Sequence, residues 1–141
     1  MTEPDAFTPP ASGSPPPSTE SSTGLAPNVA GALAYLLGPI TGILFLVLEK
    51  RSPFVRFHAA QSIGISVAWI VFWVVYSIVS TVLSLIPVLG WIVAIIFLLF
   101  SIVVGFAGLF LWLFLMYKAW NGTEWEFPWV GEQSRRLLTG A

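Results

Sequence analysis

Three long stretches of this chain contain no charged side chain: NVAGALAYLLGPITGILFLVL at 28–48, AAQSIGISVAWIVFWVVYSIVSTVLSLI at 59–86 and WIVAIIFLLFSIVVGFAGLFLWLFLMY at 91–117. A helix rises about 1.5 Å per residue, so about 20 residues cross a hydrocarbon core of about 30 Å. Each run is long enough, and a helix satisfies its own backbone in lipid. Strands of a membrane barrel would instead read as short alternating segments between turns. The pattern therefore predicts an all-α integral membrane protein with three transmembrane helices, at 28–48, about 58–86 and 91–117. Pro87 and Gly90 separate the last two as a tight antiparallel hairpin. Both of these runs exceed one perpendicular crossing, so they tilt or begin along the membrane surface.

Composition agrees. Only 9% of the 141 residues are charged, against about 25% in a soluble domain. A net charge of −1 offers no footprint for nucleic acid, which needs clustered Lys and Arg. With no cysteine and one histidine, disulfides, thiolate sites and multi-histidine metal centres are excluded. No cofactor, metal or nucleic acid is expected; the expected partner is the lipid bilayer.

Residues 1–27, rich in Pro, Ser, Thr and Gly and without Lys or Arg, read as a disordered tail. Pro15–Pro17 within it read as part of an extended tether. The transmembrane domain covers 28–120, and 121–141 form an aromatic and basic C-terminal segment with a hint of an interfacial helix at Leu137 and Leu138. Every basic residue falls in the loop after the first run or beyond the last: Lys50, Arg51, Arg56, Lys118, Arg135 and Arg136. With three spans these lie on one side. The positive-inside rule then gives an N-out, C-in protein of the plasma membrane.

At 100° per residue, His58, Ser62, Ser66, Trp69, Trp73, Tyr76, Ser80 and Ser84 share about a quarter of the second helix. An unpaired indole N–H is costly at mid-depth, so this semi-polar stripe should face protein or enclosed water. Packing glued by hydroxyls is the simpler reading, and a hydrophilic path is the sharper one. Small residues mark further packing faces. Gly38 and Gly42 form a G-x-x-x-G pair preceded by Gly31, and Ser101, Gly105 and Gly108 line the third run. Pro39 kinks the first span or breaks it as in a discontinuous helix; a kink is favoured.

His58 and Gln61 enter the membrane from the basic loop. No acid or base lies within the runs to supply a proton relay. A contact between His58 and Glu49 across the loop, or Arg56 and His58 on lipid phosphates or helix-end carbonyls, are the expected structural roles.

GALAYLLGPITGILFLVLEKRSPFVRFHAAQSI followed by YKAWNGTEWEFPWVG resembles a family of small, largely uncharacterised bacterial and archaeal membrane proteins, similar to the twenty-kilodalton subunit of the chloroplast inner-envelope import translocon. The resemblance rests on Ala34–Leu36, Gly42, Glu49, Phe54–Ala59, Gln61, Ser62, Lys118, Ala119, Gly122, Pro128 and Gly131. It implies a multi-pass membrane protein with Glu49, Arg56, His58, Gln61 and Lys118 as motif residues. The chloroplast relative has four spans against three counted here. The expected function is non-enzymatic: association through helices, as a homo-oligomer or as a subunit of a membrane complex. The alternative is a transport or protein-translocation component whose second-helix stripe lines a hydrophilic path.

Overall fold

Proline opens three of the five helices, where its fixed φ suits a first turn and its missing N–H costs nothing. The computed structural model describes residues 21–140 and contains α1 (Pro27–Leu33), α2 (Pro39–Leu48), α3 (Pro53–Ser84), α4 (Gly90–Trp120) and α5 (Val130–Thr139). Ser52 caps α3 by accepting the Val55 N–H at 3.4 Å. The expectations for 1–20, Pro15–Pro17 among them, lie outside the described residues.

The 28–48 run is not one helix. α1 has 7 residues and α2 has 10, so α2 is about 15 Å long, half a hydrocarbon core. Between them the chain reverses. Going inward along α1, Gly31 lies against Phe54 and His58, Tyr35 reaches His58 and Gln61, and Gly38 lies against Ser66. On the return, Gly42 lies against Ala59 and Ile63, Phe45 packs with Val55 and Ala59, and Glu49 meets Ser52. α1 thus runs parallel to α3 and α2 antiparallel to it. The pair is a helical hairpin whose two ends meet at the start of α3, where Ser21 and Ser22 bond to Glu49.

Four expectations are corrected here. The 28–48 run, expected as one long helix, is two short helices folded into a hairpin. Gly38 is also not part of a helical G-x-x-x-G face; it is the cap before α2, with φ of +58°, a conformation that costs little only without a Cβ. Proline at 39 does not kink a continuous helix but starts a new one. Residues 21–26, assigned to the disordered tail, are in part bonded into the loop through Ser21 and Ser22.

α3 and α4, with 32 and 31 residues, are long and apolar enough to cross a membrane, and the expected 58–86 and 91–117 runs fall largely within them. They form an antiparallel pair. Their first and last turns respectively are enclosed by the α1–α2 hairpin and by the C-terminal chain. Gly122, at φ +71°, turns that chain after α4, so that 123–129 run back beside α3. α5 then descends antiparallel to α3, with Val130 against Gly64 and Arg135 over the Phe57 ring at 4.6 Å. Among the described residues the other halves of α3 and α4 pack only on each other, and their most apolar stretches are almost entirely exposed.

A Cβ added at Gly42 would lie 2.9 Å from Ile63 and 3.0 Å from the Ala59 carbonyl, whereas one at Gly105 has nothing within 4 Å. Gly42→Leu should therefore destabilise the fold by about 1–3 kcal/mol, the usual cost of overpacking, while Gly105→Leu should leave it unchanged. Unfolding of the two variants in detergent micelles distinguishes these outcomes.

Candidate functional site: a buried polar knot beside an aromatic groove

A broken helix exposes backbone groups that lipid cannot satisfy. Here each side of the break finds a partner. Thr41 Oγ1 donates to the Ala34 carbonyl at 3.0 Å and accepts the Leu37 N–H at 3.1 Å. Trp112 Nε1 donates to the Tyr35 carbonyl at 2.7 Å, and Ser62 Oγ to the Gly38 carbonyl at 3.1 Å. Three different helices therefore close one turn.

Directly beside the break, Tyr35, His58 and Gln61 form a buried knot, each no more than 3% exposed. Gln61 Nε2 donates to the Tyr35 hydroxyl at 3.0 Å and to the Trp125 carbonyl at 3.1 Å, while its Oε1 accepts the Phe127 N–H at 3.2 Å. Because the Tyr35 oxygen accepts from Gln61, its own hydrogen is free for His58 Nδ1 at 3.1 Å. This pairs the Tyr35 hydroxyl with the His58 imidazole. Three aromatic rings, Tyr35, Phe54 and Phe57, stand edge-on around that imidazole. One amide side chain thus links the α1 end, α3 and the C-terminal return.

A second buried group holds the loop. Glu49, fully buried, accepts from the Ser21 hydroxyl and from the backbone N–H groups of Ser22, Arg51 and Ser52. Burial alone would raise its pKa, but these four donors outweigh it and hold the carboxyl down at about 2. Two of those N–H groups precede α3, whose N-terminus also favours an anion.

Of the motif residues, Glu49, His58 and Gln61 are thus buried within the fold. The expected His58–Glu49 contact is absent among the described residues, because the Glu49 oxygens are taken up by Ser21, Ser22, Arg51 and Ser52. His58, 1% exposed, is out of reach of lipid headgroups. Arg56 is half-buried, and its Nε and His58 Nε2 are the buried side-chain nitrogens without a hydrogen-bond partner among the described residues. Lys118 lies 5.4 Å from the centre of the Phe114 ring. Lys50, Arg51, Arg135 and Arg136 are exposed at the same end; Arg135 pairs with Glu124 and Glu126, and Arg136 with Glu132.

On α3, Ser62 is buried and Ser66, Trp69, Trp73, Tyr76, Ser80 and Ser84 are half-buried, in contrast to most of their neighbours after Ser66. Their hydroxyls mostly turn back on the helix: Ser66 to the Ser62 carbonyl, Ser80 to Ser77 and Ser84 to Ser80. Only Ser62 and Tyr76, which donates to the Phe97 carbonyl, bond across from this stripe beyond His58. Among the small residues, Gly31 receives Phe54, Gly42 receives Ile63, and Gly108 receives the Trp69 ring. Gly105 receives nothing, and Ser101 bonds only to its own helix at Leu98.

Between the hairpin tip and the α3–α4 pair lies a groove of about 470 Å³. Trp69, Trp73, Trp112, Ile65, Leu109 and Leu111 dominate its wall, with Gly38, Ser62 and Ser66 at one edge. Sequence reasoning missed Trp112 and Thr41 as members of the site. The Gly38-Pro39 break was the one signal that backbone groups needed such partners.

A buried polar knot clamping a broken helix against two long apolar helices defines a helical membrane protein rather than a water-soluble bundle. The chain belongs to the magnetosome magnetite crystal formation protein family, whose signature matches residues 22–133. It is also similar to a UPF0132 membrane protein of Archaeoglobus fulgidus, 42% identical over 114 residues that cover 80% of this chain and 96% of that one. A UPF0132 membrane protein of Methanocaldococcus jannaschii is 42% identical over 117 residues, covering 80% and 89%. No solved structure matches the chain. Residues 22–133 include the hairpin, the knot and the C-terminal return up to α5, so the family match takes in the whole clamp.

Two variants test these buried residues. Gln61→Leu leaves the Trp125 carbonyl and Phe127 N–H unpaired, at about 1–3 kcal/mol per group, and chymotrypsin should then cut after Trp125 faster than in the parent protein, while the Phe127–Pro128 bond stays resistant. For Glu49 the folded pKa is depressed, so its stabilisation is complete above the ordinary value of 4.5 and disappears as pH falls through about 2. Thermal unfolding should show the parent protein losing its advantage over Glu49→Gln across that window.

Proposed function

We propose that this is a non-enzymatic, multi-pass protein of the cell membrane that acts by helix association. In this reading α3 and α4 are its two crossings, and α1–α2 is a re-entrant hairpin that enters and leaves by one face. Both chain ends then share the cytoplasmic side. The clustering of all six Lys and Arg residues around the start of α3, the end of α4 and α5 supports this orientation, since cytoplasmic loops retain basic residues.

The observation that carries the association reading is the bare arm of the α3–α4 pair. Beyond the hairpin tip the described residues place no third helix against it, and the Ser101–Gly105 edge is open, with nothing among them within 4 Å of a Cβ at Gly105. Small residues let a second helix approach closely enough for dispersion and Cα–H contacts to hold it in lipid. A second copy of the chain or another membrane subunit fits there.

Translocation, suggested by the resemblance to a chloroplast import subunit, finds less support. Ser62 and Ser66, the hydroxyls at the groove, are committed to the carbonyls of Gly38 and Ser62. What remains facing the groove is mainly indole, Leu and Ile, which favour a dry filling over a water path. Catalysis also lacks support, because Glu49 is saturated by donors and His58 is enclosed by rings.

The chain has no cysteine, so single thiols are clean reporters. With Gly105→Cys, oxidation in native membranes should give a disulfide dimer or an adduct with one other membrane protein, and Gly108→Cys, covered by Trp69, should give neither. If Gly105→Cys yields no adduct of any kind, association through this edge is wrong. Cysteines at Thr2 and after Ala141 should both react with an impermeant maleimide only in inside-out vesicles. Labelling from opposite faces would instead restore three crossings.

A further inference from the structure

The molecule is much wider at one end than at the other. Around the first turns of α3 stand α1, α2, the end of α4 and α5; among the described residues only α4 stands around its last turns. The extra width is apolar on its outside. Ile40, Ile43, Leu44 and Val47 of α2 are each more than half exposed, so this flank is covered by acyl chains when the protein is in lipid. From the geometry we infer that the chain is a one-leaflet wedge that prefers curved bilayer, with the leaflet at its basic end on the convex side.

The argument is one of area and depth. α2 is about 15 Å long, so it reaches through one leaflet and no further. Two helices of about 10 Å diameter add about 160 Å² of cross-section to that leaflet alone. The opposite leaflet receives only the α3–α4 pair. Inserting area into one leaflet spreads its lipids, and bending toward that side relieves the mismatch. For the same reason amphipathic inclusions are sensitive to curvature. Rigidity matters as well as width, because a hairpin that could swing out would lose the asymmetry. Here it is pinned at its tip by Ser62 and Trp112 and at its ends by Glu49. α5 adds to the same side, with Arg135 and Arg136 at the level of the first turns of α3.

This inference rests on the re-entrant reading proposed above, and the test separates the two. The full chain, with one cysteine appended after Ala141, is reconstituted into giant vesicles of phosphatidylcholine, a zwitterionic lipid that removes attraction of Lys and Arg to anionic headgroups. An impermeant maleimide dye marks only molecules whose basic end faces outward. Narrow tubes are then pulled, and dye density is compared with that of a lipid dye in tube and vesicle. Outward-facing molecules should be enriched on the tube by roughly twofold or more, and inward-facing molecules, labelled from within with outside thiols blocked, should be depleted. Equal densities, or the same sign for both orientations, would overturn the wedge. A protein carrying its cysteine at Thr2 in place of the C-terminal one, labelled in sealed vesicles cut with trypsin from outside, reports whether the two ends share a side. If they do not, the re-entrant reading fails, whatever the tubes show.

Discussion

The rest of the structure depends on the side chain of Gln61. It is fully buried, and it uses both ends of its amide on groups from segments far apart in sequence: the Tyr35 hydroxyl, the Trp125 carbonyl and the Phe127 N–H. An amide side chain can both donate and accept in fixed directions from one planar group. Aspartate or glutamate could accept but not donate, and lysine the reverse. In a region of low dielectric each of these bonds is stronger than in water, and losing one partner exposes another. The knot is therefore a specificity device as much as a source of stability. It sets which depth of α3 the hairpin and the C-terminal return must meet.

From that fixed depth the helix break becomes tolerable. A chain that turns around between Ala34 and Gly38 leaves carbonyls that an unbroken helix would have bonded. Thr41, Ser62 and Trp112 supply donors to them, and Tyr35, whose carbonyl takes the Trp112 bond, is itself held against Gln61. Gly42 then lets α2 lie close on α3, near the Ala59 carbonyl. The order of dependence is polar knot, break, then close packing. The hydrophobic contacts among Ala30, Ala34, Phe45, Val55 and Ala59 follow from that order, since in lipid burial of apolar surface does little to drive helices together.

How much of this was legible in the sequence differs between elements for physical reasons. α3 and α4 could be read because length and apolarity suffice to define a long helix, with basic residues marking the start of α3 and the end of α4 and Pro87 and Gly90 marking the turn between them. The hairpin could not. The run 28–48 has the length of a span, and run length measures apolarity without direction. Gly38-Pro39 was the only local sign of reversal, and kink and turn share that sign. The decisive partners, Ser62 and Trp112, lie 24 and 77 residues from the carbonyls they satisfy. Periodicity identified one face from His58 to Ser84, but it could not tell where the hydroxyls point. On a helix in a dry setting a serine most easily returns its hydrogen to its own backbone one turn earlier, as Ser66 and Ser84 do. A stripe of serines is thus poor evidence for a water path. Glu49 shows the opposite case. A lone acid in a basic loop looks like a partner for Arg or His, yet free backbone N–H groups at a helix start compete for it and prevail.

The two halves of the molecule also obey different rules, and this links the knot to the shape. At the basic end polar groups are buried and satisfied, so the elements there are fixed in number and position. At the far end nearly every outward residue of α3 and α4 is an apolar side chain with no protein neighbour, and nothing but lipid or another helix determines what lies beside them. A rigid, broad base and a slender arm follow from where the polar residues fall along the chain. Spreading the same hydrogen bonds over both halves would have made a straight-sided bundle. Concentrating them between Ser21 and Ser66 on one side and Trp112 and Ser134 on the other makes a taper, with the association edge at Gly105 left on the narrow part.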